Sequence, residues 1–295
     1  LKIAEGCDRL CTFCTIPSIR GRHVSKPIDR IVAEAEQLAA DGVRELNLVA
    51  QDLTYYGLDD GGRPRLAELL GRLEEVEGLG WIRLLYLYPM HVTDELIERI
   101  AASRKVLPYL DLPLQHINDQ VLRRMNRRVS RAETEALLGR LRERIEGLVL
   151  RTTMIAGFPG ETKRQFEELV AFVRRQRFER LGAFEFSKEP GTPAERLDGQ
   201  LPPAVIRARR NRLLEVQQEI AFAWNQRQVG RQMDVLIDCD IPGQENAFRG
   251  RSYADAPEID GVIYITGEDL RPGQFVRCEV VAAKDYDLIA AALAP

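Results

Sequence analysis

Apolar residues in the first two-thirds of the chain follow two alternating patterns. Short apolar runs at 2–5, 45–50, 81–86, 109–111, 149–155 and 181–186 predict strands. Between them, 29–40, 65–73, 94–102, 131–145 and 162–175 repeat their apolar positions at helical spacing. Gly42, Gly78 and Gly147 stand near helix ends, where glycine takes up a left-handed conformation cheaply. Six strands alternating with helices imply parallel β/α units, although no sequence repeat of fixed length is present. The Pro/Gly-rich stretch KEPGTPAERLDGQLPP reads as a surface loop. A long helix is expected over 204–226, with Ile206, Leu213, Val216, Ile220 and Trp224 near one face and arginines on the other.

From about Arg227 the period drops to two. QMDVLIDCD, GVIYIT and QFVRCEVVAA read as strands separated by PGQEN, APEIDG and RPGQ turns, which suggests a small closed β-barrel. The chain therefore divides into 1–226 and 227–295, and the expected class is α/β.

The 295 residues are 45% hydrophobic and 29% charged, enough to bury a core. The longest apolar runs, such as LGWIRLLYLYPM, are too short and interrupted to cross a bilayer, so no membrane association is expected. No export signal opens the chain. It begins on a strand-like segment without an initiator Met, which suggests that a further N-terminal part precedes it. A net charge of −3 argues against a protein built mainly to hold nucleic acid.

Of the five cysteines, three lie within eight residues. An odd, clustered set does not fit a disulfide framework; it fits a metal site in a reduced, intracellular protein. Cys239 and Cys278 fall in strands and read as small buried hydrophobes. Cys7, Cys11 and Cys14 are spaced Cys–x3–Cys–x2–Cys. Thiolates ligate iron–sulfur clusters, and three of them leave one corner of a four-iron cubane open to a small molecule. The loop follows the first predicted strand, and parallel β/α barrels carry their catalytic groups at the carboxyl ends of strands. A Cys3His zinc site completed by His23 is the alternative.

CDRLCTFC resembles the radical SAM signature, with Phe13 at its aromatic position. CTIPSIRGRHVSKP, LVAQDLTYYG, LDLPLQHINDQVLRRMNRR and RTTMIAGFPGET resemble the methylthiotransferases of that superfamily, and the tail resembles their TRAM barrel. The resemblance implies a partial (β/α)6 TIM-like radical SAM barrel followed by a small antiparallel β-barrel, in a cytoplasmic enzyme. It implies a [4Fe–4S] cluster on Cys7, Cys11 and Cys14. S-adenosylmethionine on the open iron would be cleaved to methionine and a 5′-deoxyadenosyl radical. A second [4Fe–4S] cluster is expected in a preceding domain, and this chain alone is expected to cleave S-adenosylmethionine without completing sulfur insertion. The electron donor would be a flavodoxin or ferredoxin.

By the same resemblance Phe13 would touch the adenine. Gln51, with Asp52, would meet the amino group, and Gln115, with His116, the ribose. An arginine on the fifth strand pointing into a barrel needs an anion, so Arg151, with Thr153 beside it, reads either as taking the carboxylate bidentately or as half of an ordinary buried ion pair. Gly157 and Gly160 would allow a tight turn and close backbone approach to the cofactor. Arg20 and Arg22, which flank Gly21 in the cysteine loop, read from the residues alone either as solvated surface charges or as cations facing an acidic group near the reacting carbon. No catalytic acid or base is assigned.

Methylthiotransferases of this kind modify either adenosine in tRNA or an aspartate of ribosomal protein S12. Residues 227–295 carry seven Lys/Arg against twelve Asp/Glu, a net −5. Such a module repels a phosphate backbone and attracts a basic protein. LLYLYP and DLPLQHIND also look like the S12 group. The expected reaction is therefore addition of a methylthio group at the aspartate β-carbon. The alternatives are a tRNA-adenosine methylthiotransferase, a non-catalytic zinc or nucleic-acid-binding module, and a radical SAM enzyme of unrelated chemistry on the same barrel.

Overall fold

Parallel strands need crossover connections, and the chain supplies helices for them. In the computed structural model, which describes residues 1–293, β1 (Ala4–Glu5) and β2 (Val24–Ser25) pair antiparallel around the cysteine loop and α1 (Ile16–Arg20). There follow α2 (Ile28–Ala40), β3 (Glu45–Leu48), α3 (Leu66–Glu74), β4 (Trp81–Leu84), α4 (Asp94–Ala102) and β5 (Val106–Asp111). Next come α5 (Asp119–Arg124), α6 (Arg131–Arg144), β6 (Val149–Ala156), α7 (Lys163–Gln176), β7 (Arg180–Glu185) and α8 (Pro203–Gln226). Residues 294 and 295, the end of the expected 227–295 segment, lie outside the described residues.

β3 to β7 form a five-stranded parallel sheet in chain order. The sixth strand of the partial barrel is the segment before and including β1. It joins by a parallel bridge between Lys2 and Val49, with the Ile3 N–H donating to the Val49 carbonyl at 3.1 Å. Local signals start the helices. Ser130 and Thr162 make capping boxes with Glu133 and Gln165, and Thr93 caps α4. The outer faces of the strands pack against the helices in one large core that includes Leu48, Leu84, Leu110 and Leu150. All five apolar residues expected on the inner face of α8 are buried.

The tail forms a closed barrel of β8 (Gln232–Asp240), β9 (Ala247–Arg251), β10 (Ile263–Thr266), β11 (Phe275–Lys284) and β12 (Asp287–Ala292). One correction applies: β10 and β12 run parallel, so the barrel is not wholly antiparallel. Cys278 is fully buried, as expected, whereas Cys239 sits half-buried beside an irregularity in the β8–β9 ladder.

The inner face of the parallel sheet is not apolar at its base. Arg83, fully buried, donates to Glu45 at 2.8 Å and to the carbonyls of Tyr253 and Ser252, at 2.7 and 3.4 Å. Arg251 of the small barrel reaches the other Glu45 oxygen at 2.6 Å. Arg180 meets Asp255 at 2.6 Å, and the Tyr109 hydroxyl donates to Asp260 at 2.6 Å. Loop 252–260 of the small barrel therefore seals the base of the partial barrel through charged and polar contacts.

Glu45 stands between two buried guanidinium ions; Glu45→Ala leaves Arg83 with carbonyl partners alone, while Arg251 keeps Asp238. The variant is expected to lose about 3–5 kcal/mol of unfolding free energy in a denaturant titration.

Candidate functional site

The opposite end of the sheet carries the cysteine loop. The loop closes because residue 6 has no side chain. A Cβ on Gly6, at φ +81°, would lie 2.0 Å from the Arg22 carbonyl oxygen. The Cys7 N–H donates to the Gly21 carbonyl at 3.1 Å, and the His23 N–H to Asp8 at 2.9 Å. The far side is tied to the segment after α5. Thr12 N–H donates to the Met125 carbonyl at 3.0 Å, Thr12 Oγ1 to the Arg124 carbonyl at 2.8 Å, and Asn126 Nδ2 to the Leu10 carbonyl at 2.6 Å.

Cys7, Cys11 and Cys14 are free, half-buried, and line one cavity of about 560 Å³. Burial pushes the Cys7 thiol up to about 11 and raises Cys14 as well. Binding to cationic metal reverses that preference, because thiolate is the ligating form. Among the described residues no three His, Cys, Asp or Glu side chains stand close enough to hold one metal ion. A tetrahedral zinc would draw its thiolates to within about 4 Å of one another. His23 is buried and outside the lining of the cysteine cavity, with Nε2 3.2 Å from Ser25 Oγ and 4.0 Å from Asp59 and with Nδ1 unpartnered. The Cys3His reading is therefore corrected.

The other expected residues divide. Phe13, Gln51, Gln115, Arg151 and Thr153 all line this cavity. Phe13 also packs edge-on against Phe158, with ring centroids 6.4 Å apart. Gln51 Oε1 and Gln115 Oε1 are buried without a partner, the kind of orphaned acceptor that a polar ligand satisfies. Gln115 adopts φ +72° and Tyr86, also in the lining, φ +64°; backbone strain of this kind concentrates at binding sites. Asp52 has a structural role: it caps the turn Leu53–Tyr55 and accepts from Arg9 at 2.9 Å. The anion that meets Arg151 here is Asp111 at 2.9 Å, with Asp260 at 3.7 Å.

Several expected positions lie outside the cavity lining. Gly157 does have φ +78°, but its Cβ direction is filled by Ile206 at 2.6 Å, and it lies outside the cavity lining. Gly160 instead approaches Gly199 and Arg124. Arg20 and Arg22 are exposed and do not line the cavity; Arg20 lies 3.7 Å from Glu5. His116 is also outside the lining. It is 1% exposed, accepts from the Asn118 N–H at 3.0 Å, and burial lowers its pKa to about 3.

Arg9, Tyr88 and Arg127 were not foreseen. All three line the cavity, with the two guanidinium carbons 4.2 and 4.3 Å from the Tyr88 ring centroid. The motif DLPLQHINDQVLRRMNRR contained Arg127, but its closeness to the cysteines arises only in the fold.

A five-stranded parallel sheet with a cysteine-lined cavity at the carboxyl ends of its strands defines an open α/β barrel. The model of the Radical SAM superfamily matches residues 1–173, and that of the TRAM domain matches 229–293. The chain belongs to the radical SAM superfamily. It is 50% identical over 289 residues to the ribosomal protein uS12 methylthiotransferase RimO of Anaeromyxobacter sp. (strain Fw109-5), covering 98% of this chain and 62% of that protein. It is also 50% identical over 298 residues to the RimO of Symbiobacterium thermophilum, covering 100% and 61%. The chain thus spans about three-fifths of the length of these relatives. Among solved structures, the radical SAM enzyme coproporphyrinogen III oxidase HemN of Escherichia coli aligns with a TM-score of 0.55 at 20% identity, covering 78% of this chain and 53% of that one. The radical S-adenosylmethionine methyltransferase TsrM of Kitasatospora setae aligns at 0.54 and 20%, covering 66% and 38%. These two likenesses concern the fold.

Gly6→Ala is expected to strain the loop by about 1–3 kcal/mol and to splay it. Thermal unfolding and faster labelling of the loop cysteines by a thiol reagent would show this. His116 generates a pH dependence. The unfolded chain protonates this ring near pH 6.5, whereas the folded chain resists until about 3. Acid therefore drains native stability through that window, by up to about 1.4 kcal/mol per pH unit. His116→Asn should flatten that slope in denaturant titrations between pH 7 and 4.

Proposed function

We propose that this chain is the radical SAM and TRAM portion of a methylthiotransferase acting on ribosomal protein uS12, with the boundary between the two parts at 226/227. The observation that carries the reading is the cavity. Three cysteines from one short loop share the lining of a space of about 560 Å³ with Gln51 and Gln115, whose Oε1 atoms are buried without a partner. The substrate follows from the two RimO relatives at 50% identity.

In this reading Cys7, Cys11 and Cys14 hold a [4Fe–4S] cluster, and Gln51, Gln115 and Thr153 orient S-adenosylmethionine with Phe13 against the adenine. When bound, the cluster and S-adenosylmethionine supply one-electron cleavage and a carbon radical that removes hydrogen from the aspartate β-carbon. The chain's own work is to bind, orient and shield. The Tyr88 ring and its flanking guanidiniums wall the cavity, and Arg151, anchored by Asp111, sets its floor. The chain holds no second cysteine triad, since Cys239 and Cys278 belong to the small barrel. The second cluster is assigned to a part of the whole protein outside this chain. An electron donor of the flavodoxin or ferredoxin type and a cytoplasmic setting complete the reading. Among the described residues no helix is long and apolar enough to cross a membrane.

The preference for a protein substrate over tRNA rests on the relatives rather than on exposed charge, because Arg231, Arg249, Arg271, Arg277 and Lys284 of the small barrel are exposed beside its acids. Asp240, Glu245, Glu258, Glu268, Asp269 and Asp285 of the small barrel are exposed. Asp255 and Asp260, by contrast, face core arginines, so part of the tail's negative charge is spent inside the molecule.

After anaerobic reconstitution the chain should carry about four irons and release 5′-deoxyadenosine from S-adenosylmethionine with dithionite. Cys11→Ala should abolish both. Equal product from the two proteins would remove the cluster from the account, and one zinc per chain would replace it.

A further inference from the structure

Each thiol of the loop accepts one hydrogen bond, and the three donors are not equivalent. Cys7 Sγ receives the Arg9 backbone N–H at 3.4 Å and Cys14 Sγ the Ile16 backbone N–H at 3.5 Å. Both donors lie two residues along the same loop. Cys11 Sγ instead receives the Arg127 guanidinium, at 3.9 Å, from 116 residues away.

Arg127 is held in place independently of that sulfur. Its Nη2 donates to the Pro113 carbonyl at 2.7 Å, and its guanidinium stacks over Tyr88. The next backbone N–H, that of Arg128, donates to the Tyr88 hydroxyl at 3.2 Å, and Asn126 is bonded to the cysteine loop itself. The side chain is only 7% exposed, and its Nε has no partner. Arg9, the other guanidinium on Tyr88, is neutralised by Asp52. The partners of Arg127 among the described residues are a carbonyl, a ring and a sulfur. A buried cation without a carboxylate is costly, and it is stabilised when negative charge gathers beside it.

We propose that Arg127 is a positioning residue that raises the reduction potential of the cluster by donating to the Cys11 sulfur. The proposal rests on the reading of the three thiols as cluster ligands. Reduction adds one electron to an assembly that already bears thiolate charge. A fixed cation beside one ligand sulfur stabilises the reduced form more than the oxidised form. The two backbone donors persist whatever side chains the loop bears. The Cys11 contact is the one that a side-chain substitution removes.

The test compares wild type with R127M and R127Q in the full chain, reconstituted anaerobically. Iron and sulfide are counted, and the cluster is titrated with a reductant while visible absorbance and electron paramagnetic resonance are followed. Both neutral variants should hold as much iron as wild type and show a more negative midpoint. The reduced-to-oxidised ratio at a fixed potential should fall about tenfold, equal to about 59 mV for a one-electron couple. If R127M folds poorly, R127Q carries the measurement. Loaded variants titrating at the wild-type midpoint would overturn the proposal. So would failure of both neutral variants to hold iron, because a tuning group is dispensable for assembly. A wild-type chain that takes up no iron would instead overturn the ligand reading on which the proposal stands.

Discussion

A parallel barrel of six strands does not close, and its interior must be filled from somewhere. Eight strands suffice for side chains alone to pack such a centre. Here the base is filled by a loop from another part of the chain. Residues 252–260 bring two carbonyls to Arg83, one carboxylate to Arg180 and another to Tyr109 and Arg151. These contacts make the small barrel part of the core's own electrostatics. Asp260 lies at the end of that chain of contacts nearest the cofactor cavity, because its neighbour Arg151 lines that cavity. A module that looks appended in sequence is thus continuous with the floor of the site.

Much of this architecture was legible from periodicity. The six strands and their helices were placed because apolar strand runs and helical spacing coincide there with tertiary need. The small barrel was read incompletely. β9 contains Arg249, Gly250 and Arg251 and shows no apolar alternation. Its glycine is required because a Cβ would sit 2.5 Å from the Leu236 carbonyl oxygen, and its Arg251 is neutralised by Asp238 and Glu45. β12 is rich in alanine, a residue that favours helices in isolation, and becomes a strand only by pairing with β11 and β10. The parallel β10–β12 pairing cannot be read from either strand alone.

The site was legible where its chemistry is local. Three cysteines in eight residues announce themselves. Gln51 and Gln115 were placed at strand ends, and the fold brings both to one cavity with their amide oxygens free. What escaped was nonlocal or conformational. Gly157 looked like a backbone approach to a ligand and instead makes room for Ile206 of α8. Asp52 looked like a ligand contact and is consumed by a turn and by Arg9.

The distribution of charge ties these parts together. Arg9, Arg127 and Arg151 line the cavity, and Asp52 is the carboxylate among its lining residues. Asp111 meets Arg151 from beneath. With the three thiols protonated that balance is formally positive, and three thiolates turn it negative, which a cationic metal core among them would offset. The cavity is therefore arranged for negative charge to assemble inside it. In the small barrel, exposed carboxylates and exposed cations are nearly balanced, and the inward-turned Asp255 and Asp260 meet the core's Arg180 and Arg151. A chain of net −3 thus keeps a cationic pocket by turning some of its acids toward structural arginines and most of the rest toward solvent. The overall charge alone shows neither arrangement, because it averages over groups in different surroundings.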